Sequence, residues 1–237
     1  MNLVDKVKAL VNNYKSDTLD MRRHIHANPE LSFKEFNTVK YVQDKLSSFG
    51  ITEFESIANT GLIAYIKGKN PDKKVIALRA DMDALPIFEA NEVPYKSTNE
   101  GIMHACGHDV HTSSLLGAAR ILQELNSEFE GTIKLLFQPG EELLPGGASI
   151  MIREGALKNP SPENIVGQHV MPLIEAGKVG FRSGMYMASA DEIYLHIKGK
   201  GGHAAMPEMF TDPIVIASHI IVALQQIVAR KASPKIP

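Results

Sequence analysis

The spacing of apolar positions changes along the chain, and it marks out the elements. Leu3, Val4, Val7, Leu10 and Val11 recur at helical intervals, which predicts an amphipathic helix at the start. A second helical piece is expected from Asp17 to His26, stopped by Asn28-Pro29. Ser32 and Glu35 have the spacing of a capping box. The helix they would open buries Phe36, Val39, Val42 and Leu46 and ends at Gly50. The period then shortens. Leu62 to Ile66, Lys74 to Arg79, Thr132 to Phe137 and Ile165 to Val170 read as strands. A helix with Leu115, Leu116, Ala119, Leu122 and Leu125 on its core face is expected between the second and third strands, and another over Ala148 to Leu157.

The order α-β-β-α-β-α-β predicts an α/β domain around a largely parallel sheet. Polar residues stand at the strand ends: Asp81 and Asp83 after the second strand, Glu141 and Glu142 after the third, His169 at the fourth. In open α/β sheets, ligands gather at the carboxyl ends of strands. After Ser183-Gly184 the character changes. Glu192 to Lys200 alternates like a half-exposed strand, Gly199 to His203 is a glycine-rich turn, and Asp212-Pro213 is an N-cap and N1 pair. The helix they open carries Ile214, Ala217, Ile221, Leu224 and Val228 on one face. A strand and a helix cannot close a sheet alone. The expected organisation is a domain over 1–183 and the beginning of a second, incomplete one over 184–237.

Composition narrows the setting. The 237 residues are 44% hydrophobic and 22% charged, with a formal net charge of -2. This balance implies no broad attraction to nucleic acid or anionic membrane. The one cysteine rules out an internal disulfide. The N-terminus lacks the apolar stretch of a signal peptide, and no apolar run is long enough to span a bilayer. A cytoplasmic location is expected.

The chemistry concentrates in His104-Ala105-Cys106-Gly107-His108-Asp109-Val110-His111. Cys106 and His108 offer a thiolate and an imidazole at a spacing that lets both meet one metal ion. Glu142 and His169 offer donors from other strand ends. Mixed S, N and O donors suit Zn, Mn, Co or Fe better than Ca or Mg. At a strand end the adjacent Glu141 and Glu142 diverge, so one can hold an ion while Glu141 serves as general base. Asp81 and Asp83 are either turn formers and helix caps or, in a metal site, Asp81 orients a ligand or tunes the ion. His203 is either a surface-loop histidine or a group brought close to a substrate by Gly201-Gly202. His24 and His26 read as structural, and His111 as packing or support.

Taken in order, these segments resemble the M20 metallopeptidase family, in its amidohydrolase branch of aminoacylases, hippurate hydrolases, N-acetyldiaminopimelate deacetylases and indole-acetyl-amino-acid hydrolases. The matching motifs are Arg23 to Leu31, Arg79 to Pro86, Met103 to His111, Phe137 to Glu142, Gly167 to Pro172 and Gly199 to Pro207. The resemblance implies a catalytic domain with two divalent ions (Zn, Mn or Co) and an inserted lid domain that forms a homodimer when complete. It implies Cys106, His108, Glu142 and His169 as metal ligands, Glu141 as general base, Asp81 as a supporting acid, and His203 as a stabiliser of the tetrahedral oxyanion. The implied reaction is hydrolysis of an N-acyl amino acid or small peptide, with no nucleic acid or membrane partner. Two departures stand out: Leu143 to Gly147 is one residue longer than the usual turn, and Gly140 replaces a common alanine. Family members also continue past the lid helix and supply one more metal-binding histidine. The 237-residue chain alone is therefore expected to be weakly active or inactive.

Two other readings are possible. One is a catalytically weak remnant that serves only as a folded or oligomerising module. The other is a hydrolase with Cys106 as nucleophile, which leaves Glu141, Glu142 and His169 without a purpose.

Overall fold

The computed structural model describes residues 2–187 and 192–231. The chain divides into two compact units, Met1–Leu173 and Ile174–Pro237.

The first unit is an α/β layer structure. Helices α1 (Leu3–Ala27), α2 (Phe36–Ser48), α3 (His108–Glu124) and α4 (Gly147–Arg153) accompany strands β1 (Phe54–Ile57), β2 (Gly61–Lys67), β3 (Val75–Asp81), β4 (Thr132–Gln138) and β5 (Asn164–Gly167). The strands form one open sheet in the order β1-β2-β4-β3-β5. The expected α/β class is present, but the sheet is mixed. Strands β3, β4 and β5 run parallel, while β1–β2 and β2–β4 are antiparallel. Crossovers through α3 and α4 make the parallel half, as parallel neighbours require. Strand β1, which periodicity did not announce, is a four-residue strand paired to β2 through a short turn.

One sheet face carries the larger core. Leu62, Ala64, Ile66, Leu135 and Phe137 pack there with Met21 and Ile25 of α1, Val42 and Leu46 of α2, and Leu115, Leu116 and Ala119 of α3. On the other face Ile63, Tyr65, Ala77 and Leu136 meet Met151 of α4. Strand β2 is apolar on both faces because both are covered.

Two helix expectations need correction. The first two helical pieces are one helix of 25 residues. Asp17 does not start a new helix; it pairs with Arg120 of α3 at 2.6 Å. Nor do Ser32 and Glu35 form a capping box. Glu30 caps α2 instead, accepting from the Asn37 and Thr38 amides at 3.2 and 2.8 Å. Its carboxylate satisfies the free N–H groups of the first turn, so Ser32 and Glu35 are released to bond elsewhere. Gly50, with φ +84°, closes the helix.

In the second unit, α5 (Pro213–Gln226) starts as expected. Asp212 caps it by accepting from the Ile214 amide at 2.8 Å. The alternating stretch 192–199 is not a strand among the described residues; only Lys200 pairs, with Thr211. Alternation makes an extended segment suitable for a sheet, but a ladder needs a neighbouring strand. Residues 188–191 and 232–237 of the expected second domain lie outside the described residues. No helix among the described residues is long and apolar enough to cross a membrane.

Candidate metal centre

Because β3, β4 and β5 are parallel, their carboxyl ends share one edge of the sheet. Asp81 stands beside Gln138, and Arg79 beside Gly167. The loops leaving this edge carry Asp83, Glu141, Glu142 and His169. The N-terminus of α3 brings His108 into their midst.

His108 is fully buried. Its Nδ1 lies 2.9 Å from the Asp83 carbonyl and 3.2 Å from Asp83 Oδ1. Both partners are acceptors, so the proton sits on Nδ1 and the lone pair remains on Nε2. That Nε2 is buried and has no hydrogen-bond partner. It faces Asp81 Oδ2 and Glu142 Oε1 at 3.8 Å and Glu141 Oε2 at 3.9 Å. Glu142 Oε1 is also buried and unpartnered. On the other side, Cys106 Sγ stands 3.3 Å from His169 Nε2. Donor atoms of Cys106, His108 and His169 lie within 4.8 Å of one another, as do those of His108, Glu141 and Glu142, and those of Asp81, His108 and His111. Asp81, Cys106, Glu141, Glu142 and His169, all singled out from the sequence, are thus gathered around His108. His203 belongs to the second unit, where it is exposed and its Nδ1 accepts from the Ala205 amide at 3.2 Å.

Two aspartates support the site in different ways. Asp83, not Asp81, holds the His108 ring, and its Oδ2 accepts from Ser32 Oγ at 2.6 Å and the Glu142 amide at 2.9 Å. Asp81 instead accepts from His111 Nδ1 at 2.5 Å and pairs with Arg79 at 2.6 Å. His111 Nε2 in turn accepts from the Val170 amide at 3.0 Å, which ties down the segment carrying His169. The release of Ser32 and Glu35 from the cap of α2, unreadable from spacing alone, gives the site two more supports. Glu35 Oε1 accepts from the Gly140 amide at 2.7 Å.

The loop after β4 is closed on itself. The Gly147 amide donates to the Gly140 carbonyl at 2.8 Å. Gly140 adopts φ +52°, and a Cβ there would run into the Phe33 ring; one at Gly147 would overlap the Pro139 carbonyl. Glycine is needed at both ends of the loop for that reason.

Charge in the site is unbalanced. Burial pushes the Cys106 thiol up to about 12, and the charges of Glu142, Glu141 and Asp81 push the same way. Burial and the neighbouring Glu142 charge also raise Glu141. Burial works to lower His108, yet the Asp83 bond and the charges of Asp81, Asp83 and Glu142 raise it overall. In each case the neighbouring acids act on top of burial. Two buried donors with nothing to bond, set among a thiol and a further imidazole, fit a divalent cation in donor type.

An open α/β sheet with thiol, imidazole and carboxylate donors gathered at one edge defines a protein with residues able to hold metal. Residues 77–236 match the family described as Peptidase family M20/M25/M40, and the chain belongs to that family. It is 43% identical to an N-acyl-L-amino acid amidohydrolase of Geobacillus stearothermophilus, over 98% of this chain and 62% of that protein. It is 45% identical to a hippurate hydrolase of Campylobacter jejuni, over 99% of this chain and 59% of that protein. The solved YxeP protein of Bacillus subtilis, described as a dinuclear metal binding peptidase from the M20 family, matches with a TM-score of 0.68 at 40% identity. That match covers 73% of this chain and 48% of the other. The chain thus spans about six tenths of the length of these curated relatives.

Proposed function

We propose that this chain forms the metal-binding part of an amidohydrolase that cleaves the amide bond of N-acyl amino acids or small peptides. The observation that carries this reading is the pair of buried, unpartnered donors, His108 Nε2 and Glu142 Oε1, 3.8 Å apart. Cys106, His108, Glu142 and His169 would hold divalent ions, with Zn, Mn and Co the candidates by donor type. When bound, such ions act as Lewis acids toward a carbonyl and lower the pKa of water.

The chain's own residues supply the rest. Asp83 fixes the His108 tautomer so that the lone pair points into the site. Asp81, through His111, steadies the segment of His169. Glu141 is 42% exposed, so its head is accessible to water and substrate. Its raised pKa places it nearer the range useful for taking a proton from water and passing it to the leaving amine. His203 is assigned to oxyanion stabilisation by the motif alone. Dimerisation through the second unit and two ions per chain belong to the same proposal, supported by the M20 relationship.

Metal analysis of the purified protein tests it, combined with assays on N-acetyl and N-benzoyl amino acids before and after chelation. Bound divalent ions, and turnover that chelator removes and Mn or Co restores, are expected. Folded protein that takes up no divalent ion overturns the reading.

A further inference from the structure

Glu35 is fully buried, yet it makes no contact with the proposed metal ligands. A buried carboxylate is costly unless its oxygens are bonded. Both are: Oε1 accepts from the Gly140 amide at 2.7 Å and Oε2 from Thr60 Oγ1 at 2.5 Å. The helix it precedes makes no use of the side chain, since Glu30 caps the first turn. On the far side of Glu141, the Glu142 amide is held by Asp83 Oδ2 at 2.9 Å, and Ser32 bonds that same oxygen. The short segment Ser32 to Glu35 therefore reaches both flanks of Glu141: directly at residue 140, and through Asp83 at residue 142.

We propose that Glu35 is a positioning residue for Glu141: by accepting from the Gly140 amide it fixes the backbone from which the base projects. This rests on the reading of Glu141 as base and Glu142 as ligand. The arrangement pins the peptide on both sides of Glu141 and leaves its carboxylate free. A base must be held within a fraction of an ångström of its working place while its head stays open to water. Acceptor geometry, not charge, is what the Gly140 amide needs. A glutamine can supply it, with Oε1 accepting from Gly140 and Nε2 donating to Thr60 Oγ1. Leucine cannot, and aspartate falls short by one methylene.

The test compares Glu35→Gln, Glu35→Leu and Glu35→Asp in the full chain. Three readouts are used: amide hydrogen exchange at Gly140 in metal-free protein, Mn²⁺ affinity by calorimetry, and global stability by urea denaturation. Exchange reports local opening separately from global unfolding. Glu35→Leu and Glu35→Asp are expected to speed Gly140 exchange by about tenfold beyond what the change in global stability accounts for. They should weaken Mn²⁺ binding by about tenfold, as loss of a supporting contact does. Glu35→Gln should stay close to the parent in both. Where turnover is measurable, kcat should fall in the first two with KM little changed. Should the leucine variant not fold, the aspartate variant carries the same expectation. Unchanged Gly140 exchange in a folded Leu or Asp variant, or a glutamine variant as impaired as leucine, overturns the proposal. A parent protein that binds no Mn²⁺ would instead overturn the metal reading, and Gly140 exchange would still decide the role of Glu35.

Discussion

The ends of β3 and β4 are neighbours in the sheet, and each delivers two acids to the same place. The outcomes are opposite. After β3, Asp81 and Asp83 are buried and bonded to His111, Arg79, His108, Ser32 and the Glu142 amide. After β4, Glu141 is 42% exposed and Glu142 keeps a buried oxygen with nothing to bond. The aspartates have spent their bonding capacity on the protein. The glutamates have kept theirs for something else. Side-chain length contributes: an aspartate close to the backbone reaches neighbouring amides and rings, whereas a glutamate on a loop reaches past them.

The sharpest way to break this comparison is at Glu141. In metal-loaded protein that turns over, Glu141→Gln should lower kcat by about 10²- to 10⁴-fold, the usual worth of a general base, with metal content unchanged. A loss of metal instead would place Glu141 among the ligands. The next test is on the saturated side. Asp83→Ala should weaken divalent-metal affinity by about 10- to 100-fold, because the Glu142 amide and Ser32 lose their acceptor and the His108 ring keeps only the residue-83 carbonyl; calorimetry reads it. Asp81→Asn should cost more in stability at neutral pH than in affinity. Burial alone would raise the Asp81 pKa, but the His111 bond and the charges of Arg79 and His108 hold it at about 2. Its contribution is therefore present above the ordinary carboxylate value and lost as pH falls from about 4 towards 2. A urea series across that window should show the loss in the parent and a flatter curve in Asp81→Asn.

A smaller effect separates thiol from carboxylate donors. With its pKa near 12, the Cys106 thiol is protonated in metal-free protein at neutral pH, so coordination must release its proton. Metal affinity should then rise by about tenfold per pH unit from this group. Calorimetry in buffers of different ionisation enthalpy should count one proton fewer in Cys106→Ser. The smallest effect lies outside the site. Glu30→Ala should cost about 1 kcal/mol of stability through the lost cap of α2, seen as a lower Tm, with metal affinity unchanged. A fall in affinity there would show that cap and site are not separable.

Much of this was legible in the sequence because it depends on period and chemistry. Continuous apolar runs gave β2, β3 and β4; the Cys-x-His spacing gave Cys106 and His108, and donors at strand ends gave Glu142 and His169, as candidates. The division of labour between Asp81 and Asp83 was not legible. Two acids two residues apart at a strand end differ only in which way each points, and that is set by α3 docking beside them. Ser32 and Glu35 failed for the same reason. Their spacing satisfies a local rule, but Glu30 occupies the helix end, and a tertiary contact takes both side chains. Strand β1 is too short for periodicity to register, and the alternation of 192–199 describes a strand only when another lies beside it.

The tie between Gly140 and Gly147 has a consequence for how such a loop can vary. Its two ends are fastened to each other, so residues added or removed between Leu143 and Gly146 change only the size of a small ring. The added closure cost of one more residue is a few tenths of a kcal/mol at most, of order RT times the logarithm of the length ratio. Glu141 and Glu142 sit next to the fastened end and need not shift. A lineage can therefore lengthen, shorten or recolour the exposed Leu143-Leu144 tip without retuning the groups at its root.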